Sequence, residues 1–142
     1  MSESYVAAAK RAAALARLFE LASRQMHARA YAEGLYPAQW AALRYFKNAS
    51  GAHATTAGLA RYQGLALGAV ARTVRTLVAR GCLHKAGSAG PGRAEIVKLT
   101  RSGEALLHRD PLQPIAKVLH ALPADAQDAL AETLEKIIAL KD

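Results

Sequence analysis

Few of the side chains that could do chemistry stand close together in this sequence. Its five histidines lack the spacing of metal ligands, and its single cysteine, Cys82, has no partner for an internal disulfide. The Gly90-Pro91-Gly92 segment lacks the strand-to-helix context that a phosphate-binding loop needs. We therefore expect no enzyme, no metal site and no cofactor.

Basic residues, by contrast, are concentrated in the middle of the chain. No Asp or Glu occurs between Glu33 and Glu95, whereas eight Lys and Arg residues do. In residues 100–142 the balance reverses, with five basic and seven acidic residues. Because most protein surfaces mix both signs of charge, a long carboxylate-free segment favours a partner that is a polyanion, such as nucleic acid. Compositional drift in an arginine- and alanine-rich proteome would produce the same pattern.

The composition predicts a mainly α-helical protein. Apolar residues make up 52% of the chain but aromatic residues only 6%, so Ala and Leu, which both favour helices, supply much of the apolar content. No apolar segment approaches the ~20 residues of a membrane span. The N-terminus lacks the apolar core of a signal peptide, and one cysteine is typical of a reducing compartment. We therefore expect a cytoplasmic protein with no membrane partner.

Apolar spacing, caps and turn residues divide the chain into helices and one hairpin. Helices are predicted over residues 5–32, from Pro37 to about Asn48, over residues 56–62 and 67–80, and from Pro123, with strands over residues 82–86 and 94–99. Gly34 is expected to cap the first helix and Thr56 the third, and Thr100 to cap a helix after the hairpin. Pro111 and Pro114 must kink or break that helix.

The order helix, tight turn at Gly64, helix and hairpin is typical of a winged helix-turn-helix. We therefore predict a mainly α-helical fold with a small β-hairpin wing. In this motif the second helix lies in the major groove of duplex DNA, and its N-terminal residues meet the base edges.

The helix over residues 67–80 is the candidate for reading DNA. If Val70, Val74 and Leu77 are buried, its other face is left for the groove. That face carries Gly68, Ala69, Ala71, Arg72, Arg75 and Thr76. Arg72 and Arg75 are candidates for bidentate contacts with guanine, and the small residues would let the helix sit deep. The alternative is that both arginines are merely solvated.

Basic residues outside this helix have supporting roles in the prediction. Arg61, Lys85 and Lys98 are expected to contact phosphates, which position a protein without specifying sequence. Arg93, on the hairpin, is expected to enter the minor groove.

Three segments carry a resemblance to a known family. They read LYPAQWAALRYF, TTAGLARYQGLALGAVARTVRTLVARGCLHK and RAEIVKLTRSGEALL. Together they resemble the MarR family of bacterial regulators, with the family's Gly-Leu, Val-Ser-Arg and Arg-Gly-Leu positions occupied here by Gly64-Leu65, Val70-Ala71-Arg72 and Arg80-Gly81-Cys82. The resemblance extends from about Leu18 to Leu140. One departure is Pro91, which stands where an Asp often steadies the wing.

The resemblance implies how the chain is organised and what it does. Residues 1–36 and 100–142 would supply dimerisation helices, and residues 37–99 the winged helix-turn-helix. The homodimer would bind a palindromic operator on double-stranded DNA, most often as a repressor.

The resemblance also implies release from DNA by a small, often aromatic, ligand. Arg24, His27 and Tyr31 share one face at the end of the first helix. The start of the second helix contributes Tyr36, Trp40 and Arg44. These side chains could hold an aromatic carboxylate or a larger acidic conjugate. Equally, Trp40 and Tyr31 could belong to the core and His27 could be solvated.

Two other functions remain open from the sequence. One is a non-specific architectural DNA-binding protein. The other is a redox-sensing regulator that uses Cys82, although this residue occupies the place of a buried leucine and has no resolving cysteine.

Overall fold

The structure is a computed structural model that describes residues 2–89, 92 and 94–141 of the chain. In chain order its elements are α1 (Glu3–Arg29), α2 (Pro37–Asn48), α3 (Thr56–Gln63), α4 (Leu67–Ala79), β1 (Leu83–Ala89), β2 (Ala94–Leu99), α5 (Arg101–Leu107), α6 (Gln113–His120) and α7 (Ala124–Ile138), with a 3₁₀ turn at Gly51–His53. The predicted mainly α-helical fold with one antiparallel hairpin is confirmed. Among the described residues, none of the helices combines the length and apolar character required to cross a lipid bilayer.

The chain divides into two compact units, Met1–Asp110 and Pro111–Asp142. The second unit consists of α6 and α7, and the Gln127 side chain donates a hydrogen bond to the Leu119 carbonyl within it (2.9 Å). As predicted, the prolines interrupt the helix after the hairpin, since α5 ends before Pro111 and Pro114 lies in the first turn of α6.

The core of the first unit lies between α2, α3, α4 and the hairpin. Trp40 and Leu43 of α2, Leu59 of α3, Leu77 of α4 and Val97 of β2 are almost completely buried. These apolar faces fix the position of α4, because its buried side must meet the other elements.

Two glycines allow close backbone contacts in this core. A Cβ atom on Gly58 would collide with the carbonyl oxygen of His53, and one on Gly103 would collide with the carbonyl oxygen of Cys82. Gly58 therefore lets α3 approach the 3₁₀ turn, and Gly103 lets the start of α5 approach the base of the hairpin.

The segment between α1 and α2 differs from the prediction. The helix ends at Arg29, three residues before the predicted end, and Ala32 and Leu35 form a β-bridge closed by a hydrogen bond from Leu35 N to the Ala32 carbonyl (2.9 Å). Glu33 and Gly34 have φ of 56° and 72°. Two consecutive positive φ values are typical of a type I′ turn, so Gly34 serves this turn and is not the helix cap.

The other caps are close to their predicted places. Thr55, one residue before the predicted Thr56, caps α3 by accepting a hydrogen bond from Gly58 N at 3.0 Å. Gly64 has a positive φ of 65° and ends α3. Thr100 caps α5 as predicted, accepting from Gly103 N at 3.1 Å.

The hairpin is longer than predicted on its first strand. β1 begins at Leu83, paired with Leu99, and the pairing is irregular between Lys85 and Ser88. Val97 N donates to the Ala54 carbonyl at 2.8 Å, which fastens β2 to the segment before α3. The base of the wing is therefore held by the helix-turn-helix itself.

Candidate nucleic-acid interface

The position of α4 follows from its buried stripe. Val70, Val74 and Leu77 are buried, as predicted from their spacing. Arg80 caps the C-terminal end of α4, and its guanidinium donates to the Gly34 carbonyl at 2.6 Å. The helix is thus held by its apolar face and at its C-terminal end, while Leu67, Gly68 and Ala69 at its N-terminal end are exposed.

The predicted DNA-facing residues of α4 are accessible in the structure. Gly68, Ala69, Arg72, Arg75 and Thr76 are exposed, and Ala71 is half-buried. The Thr76 hydroxyl donates to the Arg72 carbonyl at 3.0 Å, so the two long arginine side chains dominate what this face can offer a ligand.

Among the described residues of the carboxylate-free segment, the basic side chains without an ion pair lie mainly on α3 and α4. Arg61, Arg72 and Arg75 form no ion pair within the part of the chain that the structure describes, and all three are exposed. Several other basic residues of the carboxylate-free segment have partners from outside it: Lys47 contacts Glu104 at 3.1 Å, Lys85 contacts Glu95 at 3.4 Å and Arg44 contacts Asp110 at 2.7 Å. Fewer basic residues of this segment are therefore available to a polyanion than the sequence suggests. Those that remain lie mainly on the helix-turn-helix.

The wing contributes less than the sequence predicts. Lys98 is exposed on β2, opposite His84, but Lys85 lies beside the Glu95 carboxylate. Arg93, the predicted minor-groove residue, lies outside the described residues.

The predicted effector residues of α1 line one open cavity. Arg24 and His27 of α1, together with Tyr31 just beyond its C-terminal end, border an open volume of about 620 Å³. The Tyr31 ring meets His27 edge-on with 5.5 Å between ring centroids, and meets Tyr36 edge-on at 5.9 Å. Arg24 pairs with Glu20 at 3.1 Å, although both side chains are largely exposed. The structure therefore brings four of the six predicted effector residues together as an aromatic and basic surface.

Trp40 and Arg44 do not join that surface. Trp40 is 0% exposed, and its indole N–H donates to the Ala32 carbonyl at 3.3 Å, so it belongs to the core. The Arg44 guanidinium binds both carboxylate oxygens of Asp110, each at 2.7 Å, beside a separate cavity of about 330 Å³. A helical period places these residues on α2 but does not show which neighbours cover them.

Other reactive groups are withdrawn from solvent or dispersed. Cys82 is a buried thiol, 4% exposed. The Tyr45 hydroxyl donates to the His53 carbonyl at 2.6 Å, and burial raises the pKa of this phenol, with the nearby Arg61 charge acting in the opposite direction. No cluster of three or more potential metal ligands occurs among the residues that the structure describes.

Sequence reasoning missed the exposed large apolar residues around the turn between α3 and α4. Tyr62, Leu65 and Leu67 are 76%, 54% and 56% exposed. Leucines in a helical segment are ordinarily assigned to the core. The available signal was position, since Leu67 precedes the buried series that begins at Val70.

Comparisons with known proteins agree with this architecture. Residues 33–94 match a family model described as MarR family. Comparison with curated proteins gives no match. Among solved structures, the chain is similar to the MarR family protein Rv2887 of Mycobacterium tuberculosis in complex with salicylic acid, with 27% identity and a TM-score of 0.59 over 87% of this chain and 92% of that one.

Two further structures are similar over comparable lengths. The PcaV transcriptional regulator of Streptomyces coelicolor, in complex with its natural ligand, has 25% identity and a TM-score of 0.61 over 87% of this chain and 89% of its own. Wild-type, ligand-free MarR of E. coli has 24% identity and a TM-score of 0.60 over 87% of this chain and 96% of its own, which supports the fold. The predicted winged helix-turn-helix is confirmed.

Proposed function

Since this chain belongs to the MarR family of transcriptional regulators, we propose that it represses transcription by binding a palindromic DNA operator as a homodimer. The observation that carries the proposal is the exposed face of α4, where Arg72 and Arg75 have no carboxylate partner among the described residues. A guanidinium can donate two hydrogen bonds to guanine O6 and N7 in the major groove. As a chromosome-binding protein it would act in the cytoplasm.

The apolar surfaces of the terminal helices support the homodimer. In α1, Leu15, Leu18 and Leu21 are each more than half exposed, and in α7 the Ile138 side chain is 81% exposed. Leaving such stripes in water is unfavourable, and a second copy of the chain would cover them. Two copies related by a two-fold axis would present their α4 helices to half-sites roughly 34–36 Å apart.

The surface on α1 supports release by a small aromatic acid. Rv2887 has been crystallised with salicylic acid and PcaV with its natural ligand. In the present chain Tyr31 and Tyr36 offer ring faces and edges, while Arg24 and His27 offer donors for a carboxylate. We therefore assign the effector role to these four residues and not to the buried Trp40.

The operator is tested by selecting bound fragments from random duplex DNA and titrating the preferred site at two salt concentrations. The expected preference over random duplex is at least ~10³-fold. Arg72→Ala should relax the preference for guanine at one position of each half-site, whereas Lys98→Ala should weaken all sequences alike and reduce the salt slope. Lys98 is the better phosphate control because Lys85 is paired with Glu95.

Two results would contradict the operator assignment. Equal affinity for all duplexes, governed by salt alone, would indicate an architectural DNA-binding protein. An equal loss across all sequences for Arg72→Ala would remove this residue from base recognition.

The effector is tested with salicylate as the probe. Salicylate should weaken operator binding, and Arg24→Ala should raise the concentration required by about tenfold, as expected for one lost charge-assisted hydrogen bond worth ~1.4 kcal/mol. Arg17→Ala is the matched control, because Arg17 is an exposed arginine on α1 that does not line the cavity. If both variants respond like the parent protein, this surface is not the effector site.

A further inference from the structure

Three large apolar side chains stand exposed around the turn that leads into α4. They are Tyr62, Leu65 and Leu67, with 76%, 54% and 56% of their surfaces accessible. Single exposed leucines are common on protein surfaces. These three differ in their setting, because they lie in the carboxylate-free segment, between Arg61 and Arg72, neither of which forms an ion pair among the described residues.

Leu67 has the position closest to where bases would lie. It is the first residue of α4, after the N-cap residue Ala66, which makes no side-chain capping bond. A recognition helix enters the major groove with its N-terminal residues against the base edges. The first turn of α4 is therefore the part of this protein that reaches deepest into the groove.

That turn holds almost no hydrogen-bonding side chain. After Leu67 come Gly68, Ala69, the buried Val70 and Ala71. The first polar side chain of α4 is that of Arg72. The side chains at the start of the helix can therefore distinguish bases only by shape and apolar contact.

One apolar group in the major groove fits such a side chain, the C5-methyl group of thymine. Arg72 and Arg75, further along α4, provide positive charge that draws the phosphate backbone close. We infer that Leu67 is a specificity-determining residue that packs against a thymine methyl group in each half-site. This inference rests on the proposed function, since it concerns the operator that the dimer binds.

The experiment removes the methyl group and nothing else. In the selected operator, each thymine is replaced in turn by deoxyuridine, which keeps every hydrogen-bonding group of the base. One position per half-site should bind about fourfold more weakly, the effect of losing one buried methyl contact. Substitution in both half-sites should multiply to roughly sixteenfold.

Substitutions of Leu67 then test whether this side chain makes the contact with the thymine methyl group at that position. Leu67→Ala should bind the operator more weakly and should no longer distinguish thymine from deoxyuridine there. Leu67→Met, which keeps a long apolar side chain, should retain part of the discrimination. Leu65→Ala is the matched control, because Leu65 is equally exposed but lies in the turn before α4. It should keep the full deoxyuridine effect.

The outcomes separate this inference from the function beneath it. If no operator preference emerges, the proposed function fails and the inference falls with it. If the operator is bound specifically but no deoxyuridine weakens binding, only the inference is overturned. The same holds if Leu67→Ala keeps the full deoxyuridine effect.

Discussion

Two glycine-to-alanine substitutions in the helix-turn-helix should have opposite effects on stability. Gly58 is the third residue of α3 and Gly68 is the second residue of α4. A Cβ at Gly58 would collide with the His53 carbonyl oxygen and lie 2.7 Å from the Tyr45 hydroxyl, whereas a Cβ at Gly68 meets nothing within 4 Å. Helix propensity is therefore the main effect at Gly68, and steric overlap the main effect at Gly58.

The relative sizes of the helix-propensity gain and the steric cost decide whether each substitution stabilises or destabilises the protein. Alanine stabilises a helix interior relative to glycine by up to about 1 kcal/mol, and less within the first turn. Overpacking a closed site costs about 1–3 kcal/mol. The His53 carbonyl cannot swing away easily, because it is backbone and the Tyr45 hydroxyl binds it at 2.6 Å. We expect Gly58→Ala to lower the free energy of unfolding by about 1–2 kcal/mol and Gly68→Ala to raise it by up to about 1 kcal/mol.

Thermal unfolding without DNA measures both effects. All proteins must be compared at one concentration, because association of the chain would shift the transition temperature. With roughly 2–4 °C per kcal/mol for a chain of this size, Gly58→Ala should melt about 2–8 °C below the parent protein and Gly68→Ala slightly above it. A Gly58→Ala protein that melts at or above the parent temperature would show that α3 and the 3₁₀ turn do not meet as closely as described.

Three further predictions concern the first unit. Asp110→Asn should lower the free energy of unfolding in urea by about 1–3 kcal/mol, since it leaves the half-buried Arg44 without its countercharge, whereas Lys47→Gln at an exposed ion pair should cost less than about 1 kcal/mol. Burial raises the pKa of Tyr45, so as pH rises above about 10 the unfolded chain loses the phenolic proton before the folded chain does. The free energy of unfolding should therefore decrease above this pH. In urea titrations, Tyr45→Phe should show a smaller decrease. Cys82 should react with a thiol reagent slowly in the native protein and rapidly in denaturant, and rapid native reaction would instead favour the redox-sensing alternative.

The sequence was most informative where a single helix determines its own pattern. Val70, Val74 and Leu77 recur at helical spacing, so the buried and exposed faces of α4 followed directly from their positions. Thr100 and Pro111 affect only the residues next to them. As expected, α5 begins directly after Thr100 and ends before Pro111.

Sequence reasoning failed where the answer depends on a distant partner. From the sequence, Arg44 was a candidate ligand-binding residue. In the fold its side chain instead binds Asp110, which lies 66 residues later in the chain. Trp40 likewise has an apolar body and a polar N–H, which suit a binding surface as well as a core, and only the packing around α2 decides. The turn at Glu33 and Gly34 was mistaken for a cap because glycine serves both purposes.

The type I′ turn between α1 and α2 connects two parts of the molecule that the sequence keeps apart. Tyr31 and Tyr36 flank this turn immediately on either side, and their rings touch across it. The Gly34 carbonyl in this turn accepts a hydrogen bond from the guanidinium of Arg80, at the C-terminal end of α4. A molecule bound against the two rings would therefore lie next to the backbone carbonyl that holds the C-terminal end of the DNA-facing helix.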